Sequence, residues 1–208
     1  MPSPIPLRDP GHRPRAWRLA TDAAEIYEIP NLLPRDLCAE LIAVIQAEAT
    51  RASTSAGVTH HRTAHACRLP DVAPDLAAVV DRRFAALIGA DPLWGDPLQG
   101  QRYSPGEMYT AHLDSFPPDE PAFAEHLARH GQRTWTVMVY LNTVEEGGQT
   151  LFHRIGRRYD PIPGFGLAWN NLLSDGTPNP ATLHGSVRVE RGVKVIATKW
   201  FRTQPSPS

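Results

Sequence analysis

Apolar side chains at helical spacing mark two segments in the first half of the chain. One begins at Pro34 and runs to about residue 49, and the other begins at Pro74 and runs to about residue 88. Proline suits the first helical position because that residue needs no amide hydrogen bond. The apolar positions are Leu37, Leu41, Ile42 and Ile45 in the first segment, and Leu76, Val79, Val80, Phe84 and Leu87 in the second. Each segment is therefore predicted to be a helix with one face against a core.

Short strands separated by turn signals dominate the remainder of the chain. One strand is predicted at residues 25–29 and another near 66–69. Beyond Gly95, strands are predicted at 98–103, 108–114, 134–142, 150–152, 158–162, 166–171, 182–189 and 193–202. Two helices followed by eight short strands predict a mainly β fold with flanking helices. The expected architecture is a double-stranded β-helix, a cupin-like jelly roll packed against the N-terminal helices.

The alternation within two of these strands predicts which face lines a pocket. Neighbouring side chains in a strand point to opposite faces. In residues 134–142 one face carries Trp135, Val137, Val139 and Leu141, which suits packing against helices, and the other carries Thr134, Thr136, Met138 and Tyr140, which suits a polar pocket. In the last strand Lys194 shares its face with Ile196, Thr198 and Trp200. A lysine among such neighbours is poorly explained by exposure to solvent.

Composition narrows the class of protein without identifying its chemistry. The chain has 208 residues, 41% of them hydrophobic and 21% charged, and a net charge of −1. Such a balanced charge predicts no nucleic-acid partner, and no apolar run is long enough for a membrane-spanning helix. We expect a flexible arm at residues 1–16 and a single domain at 17–203, with a catalytic β-helix at about 97–203. Two isolated cysteines, and no apolar leader near the N-terminus, predict a reducing, cytoplasmic location.

The candidate chemistry begins with His112-Leu-Asp114. In an extended strand these two side chains project from one face, so an imidazole and a carboxylate can reach the same ion. A second histidine, His184, follows a later turn, and Lys194 comes ten residues after it. Two histidines and one carboxylate with open coordination positions are the ligand set of non-haem Fe(II) oxygenases. The lysine suggests a dicarboxylate co-substrate, whose far end needs a cation.

With its surroundings, this arrangement resembles the prolyl 4-hydroxylase branch of the 2-oxoglutarate/Fe(II) oxygenases. The resemblance covers roughly residues 25–202, and the matching stretches are 98–114, 133–142, 146–152, 164–169, His184, 192–194 and 199–200. It implies that His112, Asp114 and His184 bind iron. It also implies a co-substrate site formed by Lys194, Tyr103, Thr150 and Tyr140, with Arg133 and Trp200 beside the substrate groove.

The implied activity is hydroxylation of an unactivated C–H bond, using Fe(II), 2-oxoglutarate and O2. Related halogenases replace the carboxylate ligand with a small residue, so Asp114 favours hydroxylation. A prolyl residue of a peptide or protein is the expected substrate. A free amino acid or small natural product, a non-catalytic β-helix binding module and a cupin dioxygenase that needs no co-substrate are the alternatives. A requirement for ascorbate, which restores oxidised iron, and the oligomeric state stay open.

Several positions depart from the family pattern or compete with the main site. His153 and Arg188 stand where proline is common, and Asn179 stands where an acidic residue is common. Residues 115–132 form a slightly long insertion with a helical pattern, in which His126 and His130 share one face. That pair lacks the glutamate of a zinc protease helix, so polar residues of a lid are expected. His60, His61 and His65 are expected in a solvated loop or over the active site, and Cys38 and Cys67 are expected to pack rather than react.

Overall fold

The structure, a computed structural model, describes residues 14–51, 64–117 and 119–205. Its helices are α1 (Arg35–Glu48), α2 (Leu69–Val72), α3 (Pro74–Ile88) and α4 (Pro121–His130). Its strands are β1 (Trp17–Arg18), β2 (Ile26–Ile29), β3 (Thr50–Arg51), β4 (His65–Arg68), β5 (Gln99–Tyr103), β6 (Tyr109–His112), β7 (Arg133–Tyr140), β8 (Glu146–Gly147), β9 (Thr150–Phe152), β10 (Arg157–Tyr159), β11 (Gly166–Asn170), β12 (His184–Ser186), β13 (Val189–Arg191) and β14 (Lys194–Arg202).

Two sheets build the β-helix. Among the described residues the larger sheet has the order β1-β2-β11-β7-β14-β5-β4-β3, and the smaller has the order β10-β9-β12-β6. A separate pair joins β13 to β8. Side chains from both sheets line one pocket. The predicted mainly β jelly roll is therefore confirmed.

The two long helices pack against the outer face of the larger sheet. Leu41 and Ile45 of α1 and Phe84 of α3 form one buried cluster with Val137 and Val139 of β7. Burial of these apolar side chains is the main force that holds the helices to the sheet. The contact is close because Gly100 faces α1: a Cβ there would lie 2.3 Å from Cγ1 of Ile45.

The alternation predicted for β7 is confirmed for the apolar face, whereas two of the four residues predicted for the pocket face, Thr134 and Tyr140, do not line the pocket. Val137 and Val139 belong to the outer cluster, whereas Thr136 and Met138 line the pocket. On β14, Lys194 lines the same pocket together with Ile196, Thr198 and Trp200. Helix α3 also has its predicted bounds, beginning at Pro74 and ending before Gly89, whose φ of 67° suits a residue without a side chain.

Most predicted strands differ by a few residues at their ends, as where the predicted strands 134–142 and 158–162 stop at Tyr140 and Tyr159, and three of the differences affect the site or its surroundings. The predicted strand 182–189 was wrong as one unit: Pro180–Thr182 form a 3-10 turn, β12 pairs with β6 and β9, and β13 leaves to pair with β8. Strand β6 ends at His112, so Asp114 lies in a bend beyond it. Leu69 begins α2 rather than ending a strand, because Pro70 follows it at a helix start. Each change moves a strand end to where its hydrogen-bonding partner ends.

Some predictions fall outside the described residues. These are His60, His61 and residues 1–13 of the predicted arm. His65 is described, and it begins β4 instead of lying in a loop. Across the described residues no helix combines the length and apolarity that crossing a membrane requires.

Candidate metal centre and its pocket

The three predicted iron ligands converge at one end of the pocket. His112 ends β6 and His184 begins β12, and the antiparallel pairing places these two residues directly opposite each other. His112 Nε2 lies 3.5 Å from Asp114 Oδ1, and His184 Nε2 lies 3.7 Å from Asp114 Oδ2. The three ligand atoms all lie within 4.8 Å of one another. The prediction that two imidazoles and one carboxylate lie close enough to bind one ion is therefore confirmed.

Backbone carbonyls orient both imidazoles. His112 Nδ1 lies 2.8 Å from the carbonyl oxygen of Thr110, and His184 Nδ1 lies 2.9 Å from that of Thr182. A carbonyl can only accept, so each Nδ1 must carry the proton. Each Nε2 then presents a lone pair to the centre, as a metal ligand must.

Aromatic rings pack against both histidines. The Tyr109 ring stacks on His112 with a centroid distance of 3.7 Å. Trp169 meets His184 edge-on at 4.8 Å. These contacts restrict rotation of the imidazoles, and a pre-oriented ligand set loses less entropy when it binds an ion.

A buried hydrogen-bond chain fixes the carboxylate. Thr136 Oγ1 donates to Asp114 Oδ2 at 2.7 Å, and Asn171 Nδ2 donates to Thr136 Oγ1 at 2.9 Å. Sequence reasoning placed Thr136 on the pocket face but did not link it to Asp114, and it assigned no role to Asn171. The alternation along β7 and the position of Asn171 at the predicted end of β11 were the available signals.

The electrostatics suit a divalent cation. Burial alone would raise the pKa of Asp114, but the nearby His184 and His112 hold it below its ordinary value. Burial lowers the pKa of His184 to about 4. At neutral pH the site therefore offers a carboxylate and a neutral imidazole from His184, with donors that suit Fe(II).

Lys194 lines the same pocket as the three ligands. It is 1% exposed, and its Nζ donates to Ser186 Oγ at 2.8 Å. The same nitrogen lies 5.3 Å from the ring centroid of Tyr103 and 5.5 Å from that of Tyr140. Burial lowers the lysine pKa to about 7, and no carboxylate among the described residues counteracts this shift. An anionic ligand would therefore meet an ammonium that has no carboxylate partner among the described residues.

The other predicted co-substrate residues lie around this ammonium. Tyr103 is the cross-strand partner of Lys194, and Thr150 lines the pocket from the smaller sheet. The hydroxyl of Tyr103 donates to Gln101 Oε1 at 2.9 Å, a partner that sequence reasoning missed. Tyr140 is fully buried, and its hydroxyl donates to the carbonyl of Tyr159 at 3.3 Å. Tyr140 therefore presents its ring rather than its hydroxyl to Lys194.

Arg133 is held firmly beside the metal centre. Its guanidinium carbon lies 4.3 Å from the ring centroid of Trp200 and 5.0 Å from that of Phe116. Nε donates to Asp96 Oδ2 at 2.8 Å, and Nη1 donates to the carbonyl of Asp114 at 3.4 Å. Arg133 is therefore part of a largely buried network and not a solvent-exposed charge. Trp200 lines the pocket itself.

Asp96, which sequence reasoning missed, is the centre of this charged network. Its Oδ1 also accepts from Nε of Arg202 at 2.5 Å. Burial alone would raise the pKa of Asp96, but the Arg133 charge and the Arg202 hydrogen bond hold it below its usual range. Arg202 Nη2 in turn lies 3.1 Å from His126 Nε2 on α4. Helix α4 of the insertion thus contacts the network around Asp96.

Within residues 14–51, 64–117 and 119–205, the competing candidates form no second group of three metal ligands. His126 and His130 have ring centroids 4.8 Å apart, but the described residues contain one group of three or more ligands, the centre at His112. His65 Nδ1 lies 3.4 Å from a carboxylate oxygen of Glu107. Cys38 and Cys67 are free thiols whose pKa values are raised by burial, which disfavours a nucleophilic thiolate.

Comparisons with known proteins agree with this geometry. The family model of the 2OG-Fe(II) oxygenase superfamily matches residues 98–202. Two Arabidopsis thaliana relatives are "Probable prolyl 4-hydroxylase 9", 32% identical over 140 residues, and "Prolyl 4-hydroxylase 13", 28% identical over 205 residues. These alignments cover 60% and 86% of this chain, and 47% and 71% of the relatives. The chain thus spans about half the length of the first relative.

A solved structure shares the same architecture. The viral collagen prolyl hydroxylase of Paramecium Bursaria Chlorella virus-1, in complex with 2OG, superposes with a TM-score of 0.64 and 25% sequence identity. The match covers 84% of this chain and 94% of that chain. Because the family model spans half of the sequence and includes all three ligands, the chain belongs to the 2OG-Fe(II) oxygenase superfamily, with Fe(II) as its metal and 2-oxoglutarate as its co-substrate.

Proposed function

We propose that this protein hydroxylates a prolyl residue of a peptide or protein. The observation that carries the oxygenase chemistry is one pocket lined both by His112, Asp114 and His184 and by the buried Lys194, which has no carboxylate partner among the described residues. The relatives described as prolyl 4-hydroxylases support the prolyl substrate. A binding module without activity would have no need for the complete set of ligands.

When bound, Fe(II) and 2-oxoglutarate supply the oxidising chemistry: O2 is consumed, the keto acid becomes succinate and CO2, and one oxygen atom enters the C–H bond. The chain's own residues bind and orient the reactants. The ammonium of Lys194 would pair with the far carboxylate of 2-oxoglutarate, helped by Thr150 and Tyr103. A charge-assisted hydrogen bond of this kind is strong because the pocket is largely shielded from water.

The substrate side of the pocket offers a rigid aromatic platform. Trp200 is 5% exposed, and the guanidinium of Arg133 is stacked on its ring. Two buried polar atoms of pocket-lining residues, Thr198 Oγ1 and Trp200 Nε1, have no hydrogen-bond partner within the described ranges. They are available to a substrate, since buried polar groups normally find partners. A peptide held there would present one ring carbon to the metal centre.

The test is a comparison of substrates with the Fe(II)-loaded protein. Proline-rich peptides and free amino acids, including proline, are incubated separately with 2-oxoglutarate, and succinate and a mass gain of one oxygen atom are measured. We expect hydroxylated prolyl residues in the peptides and little product from the free amino acids.

The matched variants are His112→Ala and His153→Ala. His153 is an exposed histidine beyond β9, so its replacement should leave activity unchanged, whereas loss of His112 should abolish it. Modification of a free amino acid in place of every peptide would refute the prolyl assignment. Full activity of His112→Ala would refute the ligand assignment as well.

A further inference from the structure

Ser186 occupies a position between the metal centre and the co-substrate lysine. It ends β12, two residues after His184, so the two side chains lie on the same face of that strand. Its cross-strand partners are Thr150 on β9 and Tyr109 on β6. All four residues line the pocket. The strand that supplies an iron ligand thus also supplies a hydroxyl to the interior.

The hydrogen bond from Lys194 to Ser186 crosses from one sheet to the other. Lys194 belongs to β14 of the larger sheet, where it pairs with Tyr103, and Ser186 belongs to the smaller sheet. The Nζ–Oγ distance is 2.8 Å. This bond therefore sets where the ammonium lies relative to both walls of the pocket.

The lysine needs such a partner because its environment does not otherwise fix it. A lysine side chain has a flexible four-carbon stem, and its ammonium is strongly hydrated in water. Here it is buried beside two aromatic rings, and burial shifts its pKa toward the neutral form. A hydroxyl oxygen that accepts from Nζ stabilises the charged form and restricts the rotamer.

The hydroxyl hydrogen of Ser186 is only weakly engaged. Its bond to the carbonyl of Val187 is long, at 3.3 Å. A carboxylate arriving beside Lys194 is a stronger acceptor, so the hydroxyl can turn toward it. Ser186 could then accept from the ammonium and donate to the ligand at the same time.

We propose that Ser186 is a positioning residue for Lys194 and a second hydrogen-bond donor to the far carboxylate of 2-oxoglutarate. The inference rests on the 2-oxoglutarate chemistry of the proposed function, and it does not depend on which substrate is hydroxylated. It deepens that function by assigning a role to a hydroxyl that the spacing of the ligands does not reveal.

The test measures co-substrate binding directly. Mn(II)-loaded protein is titrated with 2-oxoglutarate by calorimetry without oxygen, so that binding is read without turnover. We expect the Kd of Ser186→Ala to rise about 10- to 100-fold, since a hydrogen bond to a charged group contributes on that order. Ser186→Thr, which keeps the hydroxyl, should restore most of the affinity. Ser104→Ala, outside the pocket, is the matched control and should bind as the unaltered chain does.

Two further readouts separate positioning from general damage. The affinity for Mn(II) and the Tm should be nearly unchanged in Ser186→Ala. The pH above which 2-oxoglutarate affinity declines should move lower, because the ammonium has lost its acceptor. In turnover, the KM for 2-oxoglutarate should rise while kcat stays within about twofold.

Several outcomes would overturn the proposal. These are an unchanged Kd in Ser186→Ala, a Kd in Ser186→Thr as weak as in Ser186→Ala, and a parallel loss of Mn(II) affinity. The prolyl assignment fails separately: tight 2-oxoglutarate binding without hydroxylation of any prolyl peptide would refute that assignment and leave the role of Ser186 standing.

Discussion

Thr136 donates a 2.7 Å hydrogen bond to the metal-facing carboxylate of Asp114, and it does so from a strand of the opposite sheet wall. Asn171 holds the threonine in turn. Asp114 lies in a bend after β6, so strand pairing does not hold its backbone in place. The position of this ligand therefore depends on β7 and β11.

Removing the Thr136 hydroxyl should weaken metal binding. We expect Thr136→Val, which keeps the side-chain shape, to lower Fe(II) affinity by about 10- to 100-fold, the usual effect of losing a partner of a metal ligand. Anaerobic titration with Fe(II) measures this. Thr134→Val is the control on the same strand, because its hydroxyl contacts the carbonyl of Phe201 and not Asp114. Equal affinities of both variants would contradict the prediction.

Gly185 permits the close approach of the two strands that carry the histidines. A Cβ at this position would lie 2.9 Å from the carbonyl oxygen of Tyr109 and 3.2 Å from the amide nitrogen of Ala111. Because both atoms belong to the backbone, β12 and β6 would have to separate.

We therefore expect Gly185→Ala to lower Fe(II) affinity at least tenfold, although no ligand is changed. The Fe(II) titration and a thermal melt without metal would be compared. A variant with a lowered Tm and full Fe(II) affinity would show that the strands move without displacing His184, contrary to this prediction.

Binding of 2-oxoglutarate should depend on pH through Lys194. The pKa of this lysine is lowered to about 7 by burial, so the ammonium is present below that pH and is lost above it. The far carboxylate favours the charged form. Affinity should therefore be highest below pH 7 and fall by up to about tenfold per pH unit above it, with uptake of up to one proton on binding.

Calorimetry in buffers with different ionisation enthalpies measures that proton uptake. Lys194→Arg is the informative variant, because a guanidinium stays charged throughout the accessible range. Its affinity should not show the decline near pH 7, whatever its absolute value. A pH profile shared by both proteins would assign the dependence to another group.

Asp96 should stabilise both the fold and the position of Arg133 beside the metal centre. It is shared by Arg133 and Arg202, so Asp96→Asn leaves two largely buried guanidinium groups without their carboxylate. We expect a loss on the order of 3 kcal/mol in the free energy of unfolding. For a chain of this size the corresponding fall in Tm is roughly 6–12 °C.

The matched control for Asp96 is Asp71→Asn, which breaks an exposed pair with Arg68. This replacement should lower the free energy of unfolding by less than about 1 kcal/mol.

Asp96→Asn should also raise the KM for a peptide substrate more than the KM for 2-oxoglutarate, because Arg133 is loosened while Lys194 is not. A larger effect on 2-oxoglutarate would contradict the placement of Asp96 on the substrate side.

The sequence by itself determined the local part of this protein. Periodicity predicted α1, α3 and most strands, and the alternation along β7 and β14 predicted which faces meet the helices and which line the pocket. The metal ligands could also be predicted from the sequence, because two histidines and one carboxylate form a specific ligand set and two of the three residues lie close together in the chain. The helices, the strands and the faces of the strands depend on near neighbours in the chain.

Only the tertiary structure decided how the two sheets face each other. A strand's alternation gives the direction of its side chains, but not the strand across the pocket, since that pairing depends on distant parts of the chain. The bonds from Thr136 to Asp114 and from Arg133 to Asp96 join residues 22 and 37 positions apart, and the bond from Lys194 to Ser186 crosses from one sheet to the other. The division of residues 182–189 between two partners has the same origin, because each strand ends where its partner does.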